Sequence, residues 1–336
     1  MTKSDIDRTV APKRAGPGMR VLKAITAPSA RYLGVRLLQG LAVLFGAVVI
    51  SFLLIHITGN PAEVLVGGRF TGEQVQQLSE RLGYNRPLLT QFLDYMGGVL
   101  QGDFGDSFRF QEPAIRSVLR ALPDTLILVA GAIGLASVIT LPLAIISVLK
   151  RETFIDRLLR RGMIIGQGIP EFWLGLLLVL FFAVQLGVLP SIGNSGFNSA
   201  ILPVVTLAVP LVSILGRLLR ADLLDIMTSD FVTALRAKGL TELEILTRHG
   251  IRNAFGPFIT FLALQLGWLV GGTIVVEAVF VWPGIGTLAL GAVETRDLPV
   301  LQSIVVVVAF GYVALNLAVD LIMLGIDPRI RLGRTK

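Results

Sequence analysis

The chain has no cysteine in 336 residues. That excludes disulfides, thiolate nucleophiles and cysteine-bound metal. Histidine is nearly as scarce: His56 and His249 are the whole complement, too few and too far apart to suggest a metal cluster. Charge is also short. Asp, Glu, Lys and Arg make up 16% of the residues, where a soluble domain carries roughly a quarter. Much of the surface must therefore face something other than water. A Gly-x-x-x-x-Gly-Lys-Ser/Thr segment is missing as well, so the chain cannot cradle ATP in the P-loop manner.

What is abundant is apolar. Hydrophobic residues reach 53% and the mean hydropathy is +0.75. Six apolar stretches stand out, over residues 37–57, 125–149, 163–186, 201–215, 258–279 and 301–324. Crossing the hydrocarbon takes about 20 such residues. The first, second, fifth and sixth meet that cleanly, and the fourth does so only if extended to 219. The third is interrupted by Gly166, Gly168, Pro170 and Glu171, and the fourth contains Pro203 and Pro210. Both should be kinked, with neighbouring helices satisfying the carbonyls that proline frees. The expected fold is an all-α integral membrane protein with six transmembrane helices.

The net charge of +7 reads as the mark of cytoplasmic loops, not of nucleic-acid binding. Of the 30 Lys and Arg, 23 fall in the segment up to Arg36, in the loops after the second and fourth spans, and at the C-terminus. The positive-inside rule then puts both termini in the cytoplasm, and an even number of spans demands the same. Residues 1–34 form a basic, Pro- and Gly-containing tail. It is too long for the n-region of a signal peptide, and the apolar run after it is too long for an h-region, so the first span, 35–57, should be a retained anchor.

Residues 58–124 are then extracytoplasmic. Thr71 with Gln74 can cap a helix stopped by Gly83. Pro87 suits a first turn, ahead of Phe92, Tyr95 and Val99. Ile115, Val118, Leu119 and Leu122 mark a third short helix. The pattern predicts a helical cap over the outer mouth of a permease core at 125–330, followed by a short tail at 331–336.

The loop over 217–256 is too long for a simple connector. Thr228, Ser229 and Asp230 offer a cap, and Phe231, Ala234 and Leu235 form a small apolar face beside Arg236 and Lys238. Gly239 stands where a left-handed C′ residue belongs. Thr241 and Glu244 make a capping box for a second helix. A basic amphipathic element of this kind either lies on lipid headgroups or docks a cytoplasmic partner.

The string Asp230-Phe-Val-Thr-Ala-Leu-Arg-Ala-Lys-Gly239, followed by Arg248-His-Gly-Ile-Arg-Asn-Ala254 and Pro257, resembles the EAA coupling loop of binding-protein-dependent ABC importer permeases, in particular those of the dipeptide/oligopeptide/nickel family. The general motif has Glu-Ala-Ala where this chain has Thr233-Ala234-Leu235. The resemblance runs on through Asn60-Pro-Ala62, Leu82-Gly-Tyr-Asn-Arg-Pro-Leu88, Gly102-Asp-Phe-Gly-Asp-Ser107, Leu122-Pro-Asp-Thr-Leu126, Ile169-Pro-Glu-Phe172, Phe280-Val-Trp-Pro-Gly-Ile-Gly286, Arg296-Asp-Leu-Pro299 and Asp327-Pro-Arg-Ile-Arg331. It is strongest to the first of the two paired permeases.

The resemblance implies a type I importer permease in a bacterial cytoplasmic membrane. It pairs with a second homologous permease, cytoplasmic ABC ATPases and an extracytoplasmic binding protein, and it moves short peptides or, alternatively, nickel chelates or other small solutes. ATP and Mg belong to the partners, and this chain binds no cofactor and performs no catalysis. The coupling residues carried over are Asp230, Phe231, Ala234, Leu235, Arg236, Ala237, Lys238 and Gly239.

Within the spans, Glu171, Gln265, Glu277, Asn316 and Asp320 are candidates for the pore or gate. The polar positions of the last two spans serve equally well as bonds between helices. Gly267 and Gly271 have the spacing that lets helices approach closely, with Gly272 beside them. Glu171 lies either deep in the third span or at its cytoplasmic start. Glu277 reads as an anchor of the outer gate region, beside a Trp282-Pro283-Gly284 turn. A secondary transporter or channel would call for inverted repeats or several embedded charges, and an intramembrane enzyme for a nucleophile and base within the spans. Neither pattern is present.

Overall fold

A computed structural model describes residues 17–57, 72–81 and 85–326. The Thr71 cap, the Gly83 stop, the motifs at 60–62 and 327–331, residues 1–16 of the basic tail and the side chain of His56 lie outside them. Helix α1 spans Pro17–Ile57, α2 Gly72–Arg81 and α3 Leu88–Gln101, the last opened by Pro87 and closed by Gly102 at φ +75°. Apart from one antiparallel bridge between Asp106 and Pro113, all regular structure among the described residues is helical.

The third outer helix and the second span turn out to be one element, α4, over Ala114–Leu149. Pro123 lies inside it. A proline there costs one helical hydrogen bond, and contacts from elsewhere hold the next turn. The Trp282 indole N–H donates to Asp124 O (3.0 Å), and Thr125 is bonded on both sides, as described below.

The third span is broken. Helix α5, Phe154–Gly168, stops before Pro170. A second piece, α6, begins at Glu171, runs to Leu178 and continues as a π-helical turn through Gln185, bent by 105° from α5. The residue before a proline is pushed out of the helical region, and Ile169 has ψ 123°. Five described helices are thus long and apolar enough to cross a bilayer, and the bent pair makes a sixth if its halves form one crossing.

Helix α7, Phe197–Met227, contains both Pro203 and Pro210 and still runs for 31 residues. It is the axis of the molecule. Leu207, Leu211, Leu215, Leu219 and Leu223 form a row at intervals of four, each at most 2% exposed, packed into α4 and the fifth span. This is the i±4 ridge along which helices interdigitate. Only 17% of the apolar part of α1 and 6% of α11 (Leu298–Ile326) is buried, against 61% for α7, so α1 and α11 stand at the periphery.

After α7 come α8, Asp230–Ala237, then α9, a continuous apolar helix over Glu242–Phe280 with a π-helical turn at Ile245–Gly250, and the short α10, Ile285–Glu294. The loop therefore holds one separate helix, not two. What reads as its second helix is the first turns of the fifth span. A second apolar cluster, around Phe104, Val118, Ile285, Ala292 and Val300, joins the outer loop to α4, α10 and α11.

Candidate functional site: the loop helix, the Glu277 knot and the broken span

The loop helix α8 buries Val232 and Leu235 and leaves Asp230, Phe231, Ala234, Ala237 and Lys238 exposed. Val232, which the sequence pattern passes over, replaces Phe231 and Ala234 on the inward face. The Ser229 hydroxyl does not cap α8 but donates to Ile226 O (2.7 Å). Arg236 turns back: its Nε and Nη2 reach Glu242 Oε1 (2.6 Å) and Oε2 (3.1 Å), and Nη2 also reaches Met227 O (3.3 Å). The hydrogen bond to Glu242 pushes the Arg236 guanidinium further up, so it stays charged.

Gly239 has φ +83°, and the next amide, Leu240 N, donates to Leu235 O (3.3 Å), the bond of a Schellman ending. The capping box is complete, with Thr241 N donating to Glu244 Oε2 (2.9 Å) and Glu244 N to Thr241 Oγ1 (3.3 Å). The His249 ring meets Phe231 edge-on, centroids 5.8 Å apart. Between α7 and α9 the loop thus has no soft joint. Replacing Thr241 by Ala should cost about 1 kcal/mol, the usual value of an N-cap. Amide exchange at 242–245, compared with wild type, checks it.

Beside this loop lies a buried ion pair that the sequence did not reveal. Asp156 of α5, fully buried, accepts from Ser147 Oγ (2.6 Å), Glu152 N (3.1 Å) and Arg220 Nε and Nη2 (3.1 and 3.0 Å). It joins the ends of α4, α5 and α7 that lie nearest α8. Its only sequence signal is an acid in a basic segment and an arginine inside an apolar helix.

At the opposite end, Glu277 of α9 is fully buried. Its Oε1 accepts from Thr125 Oγ1 (2.7 Å), and its Oε2 from Gly286 N (2.6 Å) and Thr287 N (3.1 Å). Thr125 Oγ1 in turn accepts from Ile285 N (2.8 Å). The carboxyl caps the first turn of α10 from another helix, where its N–H groups have no internal partner. A Cβ on Gly286 would lie 2.6 Å from Ile274 Cα, and one on Gly284 would overlap the Glu277 carboxyl, which explains both glycines. The nearby Asp297 ties two distant motifs together, accepting from Ser107 Oγ (2.5 Å) and Arg109 N (3.2 Å).

The remaining polar candidates do not converge. Glu171 opens α6 against Gly272, where a Cβ would meet Glu171 Oε2 at 2.8 Å, and its Oε1 is buried without a hydrogen bond. Gly272 lies inside the apolar stretch of α9, so Glu171 is at depth. Gln265 is half-buried on the same helix. Asn316 donates to Tyr312 O (2.9 Å), and Asp320 pairs with Arg36 (3.1 Å) across the seam of α1 and α11. Gly267 faces Tyr312 of α11 (3.3 Å from a built Cβ).

A bundle of apolar helices around α7, with a rigid loop at one end and a polar knot at the other, defines a multi-pass membrane permease subunit. Residues 140–332 match the family described as binding-protein-dependent transport system inner membrane component, and residues 29–129 match its N-terminal counterpart. The chain belongs to this family. It is 35% identical over 297 residues to the glutathione transport system permease protein GsiC of Escherichia coli strain K12, with 88% of this chain and 97% of that one covered. The GsiC protein of Shigella flexneri serotype 5b matches over the same span with the same identity. Among solved structures, a chain of the MetNI methionine ABC transporter in an inward-facing conformation superposes with a TM-score of 0.55 at 22% identity, over 63% of this chain and 96% of that one. That likeness concerns the fold. The protein is a transport subunit of an ABC importer in the inner membrane, and ATP hydrolysis resides on separate subunits.

Proposed function

We propose that this permease, paired with a second homologous permease, imports short peptides delivered by an extracytoplasmic binding protein and is driven by cytoplasmic ATPases that grip α8. The observation that carries the reading is the construction of the loop. The exposed face of α8, with Asp230, Phe231, Ala234, Ala237 and Lys238, is free to enter a groove, while Arg236, Leu235 and Gly239 brace it against α7 and α9. Closure of the ATPases would move α8 as a solid lever and swing the helices around the pathway, a rigid-body gate. The excess of Lys and Arg in the tail and in the loops at this end favours a cytoplasmic location for it and for both termini.

A peptide substrate is supported by the resemblance to peptide permeases and by the GsiC relatives, whose named solute, glutathione, is itself a tripeptide. Glu171, Glu277 and Gln265 line or support the pathway in this reading. Asn316 and Asp320 instead bond α11 to itself and to α1.

The test is peptide uptake and ATPase activity in proteoliposomes holding the complex assembled with its neighbouring gene products. In Gly239→Pro the ring cannot adopt φ +83° and the Gly239 N–H bond to Arg236 O is lost. Strain of about 1–3 kcal/mol at the brace should leave assembly and ATP hydrolysis in place while uptake falls about tenfold. Passage of solute through the isolated chain, down a gradient and without ATP, would overturn the reading.

A further inference from the structure

At the end away from α8 lies a cavity of about 410 Å³, walled by the outer-loop residues Arg109 and Phe110, by Arg120 and Asp124 of α4, and by the 283–297 segment. Its volume is that of a ligand site. Three observations set it apart. Non-glycine residues with positive φ are rare because of their Cβ clash. Among the described residues there are four, and three of them, Gln111 (+52°), Val281 (+49°) and Arg296 (+55°), adjoin segments that wall this cavity. Such strain gathers at functional sites.

Second, the charges around the cavity are mostly committed, but not all. Arg120 pairs with Glu112 (3.1 Å), which the Ser117 hydroxyl holds below the ordinary carboxylate range. Asp124 accepts from Asn194 (2.5 Å), and Asp297 accepts the backbone N–H of Arg109. The guanidinium of Arg109 has no carboxylate among the described residues. It lies over the neighbouring Phe110 ring, 5.2 Å from the centroid. Third, the guanidinium is seated rather than loose: it packs over Gly291, where a Cβ would stand 3.1 Å from Arg109 Nη1.

We infer that this cavity is the socket for an acidic side chain of the extracytoplasmic binding protein, whose carboxylate pairs with the Arg109 guanidinium. The inference rests on the importer reading above. A carboxylate side chain fits a space of this size, and the Thr287 hydroxyl oxygen in its lining can accept from a donor beside that acid. The socket also bears on the gate. Its inner wall, the 283–297 segment, is bonded through Gly286 and Thr287 to Glu277, and Glu277 sits on α9, the helix whose far end carries the Thr241 cap and the brace for α8. Docking would therefore act on the helix that braces α8, the element the ATPases grip.

The experiment titrates solute-loaded binding protein against ATPase stimulation of the complete complex in proteoliposomes. For Arg109→Gln the half-saturating concentration of binding protein should rise about tenfold, the effect of losing a charge-assisted bond at an interface. Its maximal rate and the rate without binding protein should not change. Arg109→Lys should shift it much less, and Gly291→Leu, which displaces the guanidinium packed on Gly291 without removing its charge, should reproduce the rise. The Gln variant should also lose salt dependence. Unchanged half-saturation in both Arg109→Gln and Gly291→Leu would overturn the socket. So would a rise only in the Michaelis constant for the solute at saturating binding protein, which would assign the carboxylate to the cargo. A wild-type complex that needs no binding protein would remove the importer reading and the socket with it.

Discussion

Glu277→Leu is expected to destabilise the chain by about 3–5 kcal/mol, because it strands hydrogen-bond donors around a buried carboxyl group. The Gly286 and Thr287 amides would lose their common acceptor, and the Thr125 hydroxyl its partner. The Gly286 amide is buried and cannot turn to solvent, and the two threonines are only partly accessible. Glu277→Gln should cost less than half as much. Its carbonyl can accept from the two amides while its NH2 donates to Thr125 Oγ1, which has a second lone pair. The measurement is the thermal midpoint in detergent of the three proteins. The absence of cysteine offers a second readout. A single cysteine in place of Thr273, 2% exposed on α9, should react slowly with an impermeant maleimide in the wild-type background and faster with Glu277→Leu. Equal rates and equal midpoints would mean that the carboxyl does not hold this end of the bundle shut.

The second large effect lies at the other end. Arg220→Met leaves the Asp156 carboxylate, 1% exposed as a side chain, with Ser147, the Glu152 amide and the partly exposed Arg160 at 3.4 Å. Removing one partner of a buried pair costs about 3–5 kcal/mol. Because Arg160 still reaches the carboxylate, about 3 kcal/mol is expected. Adding Asp156→Asn should recover much of the loss. It removes the stranded charge and keeps an acceptor for Ser147 and Glu152. If the double variant is no more stable than Arg220→Met alone, the cost comes from packing of the arginine stem and not from charge. The pair also joins α4 and α5 to the helix that leads directly into α8. In the importer reading, Arg220→Met should therefore depress uptake more than ATP hydrolysis, and the same proteoliposomes report both.

The features legible in the amino-acid order are those set by neighbours a few residues apart. Apolar runs of sufficient length mark the spans. Thr241 with Glu244 specifies a capping box, and Gly239 a left-handed turn, because both depend on backbone groups within one helical turn. Pro170 breaks the third span through its effect on Ile169. The rest came from packing. Whether the outer helix and the second span are separate was decided at Asp124 and Thr125, by Trp282 and Glu277 about 150 residues away in sequence. Which face of α8 turns inward was decided by the bodies of α7 and α9, and they chose Val232 over Phe231. Partners such as Asp156 with Arg220, Ser107 with Asp297 and Arg36 with Asp320 lie on different elements. In a membrane protein the apolar pattern cannot foretell such pairs. Lipid-facing and helix-facing positions are equally hydrophobic, so the sequence announces that a helix crosses the bilayer but not which of its sides meets another helix.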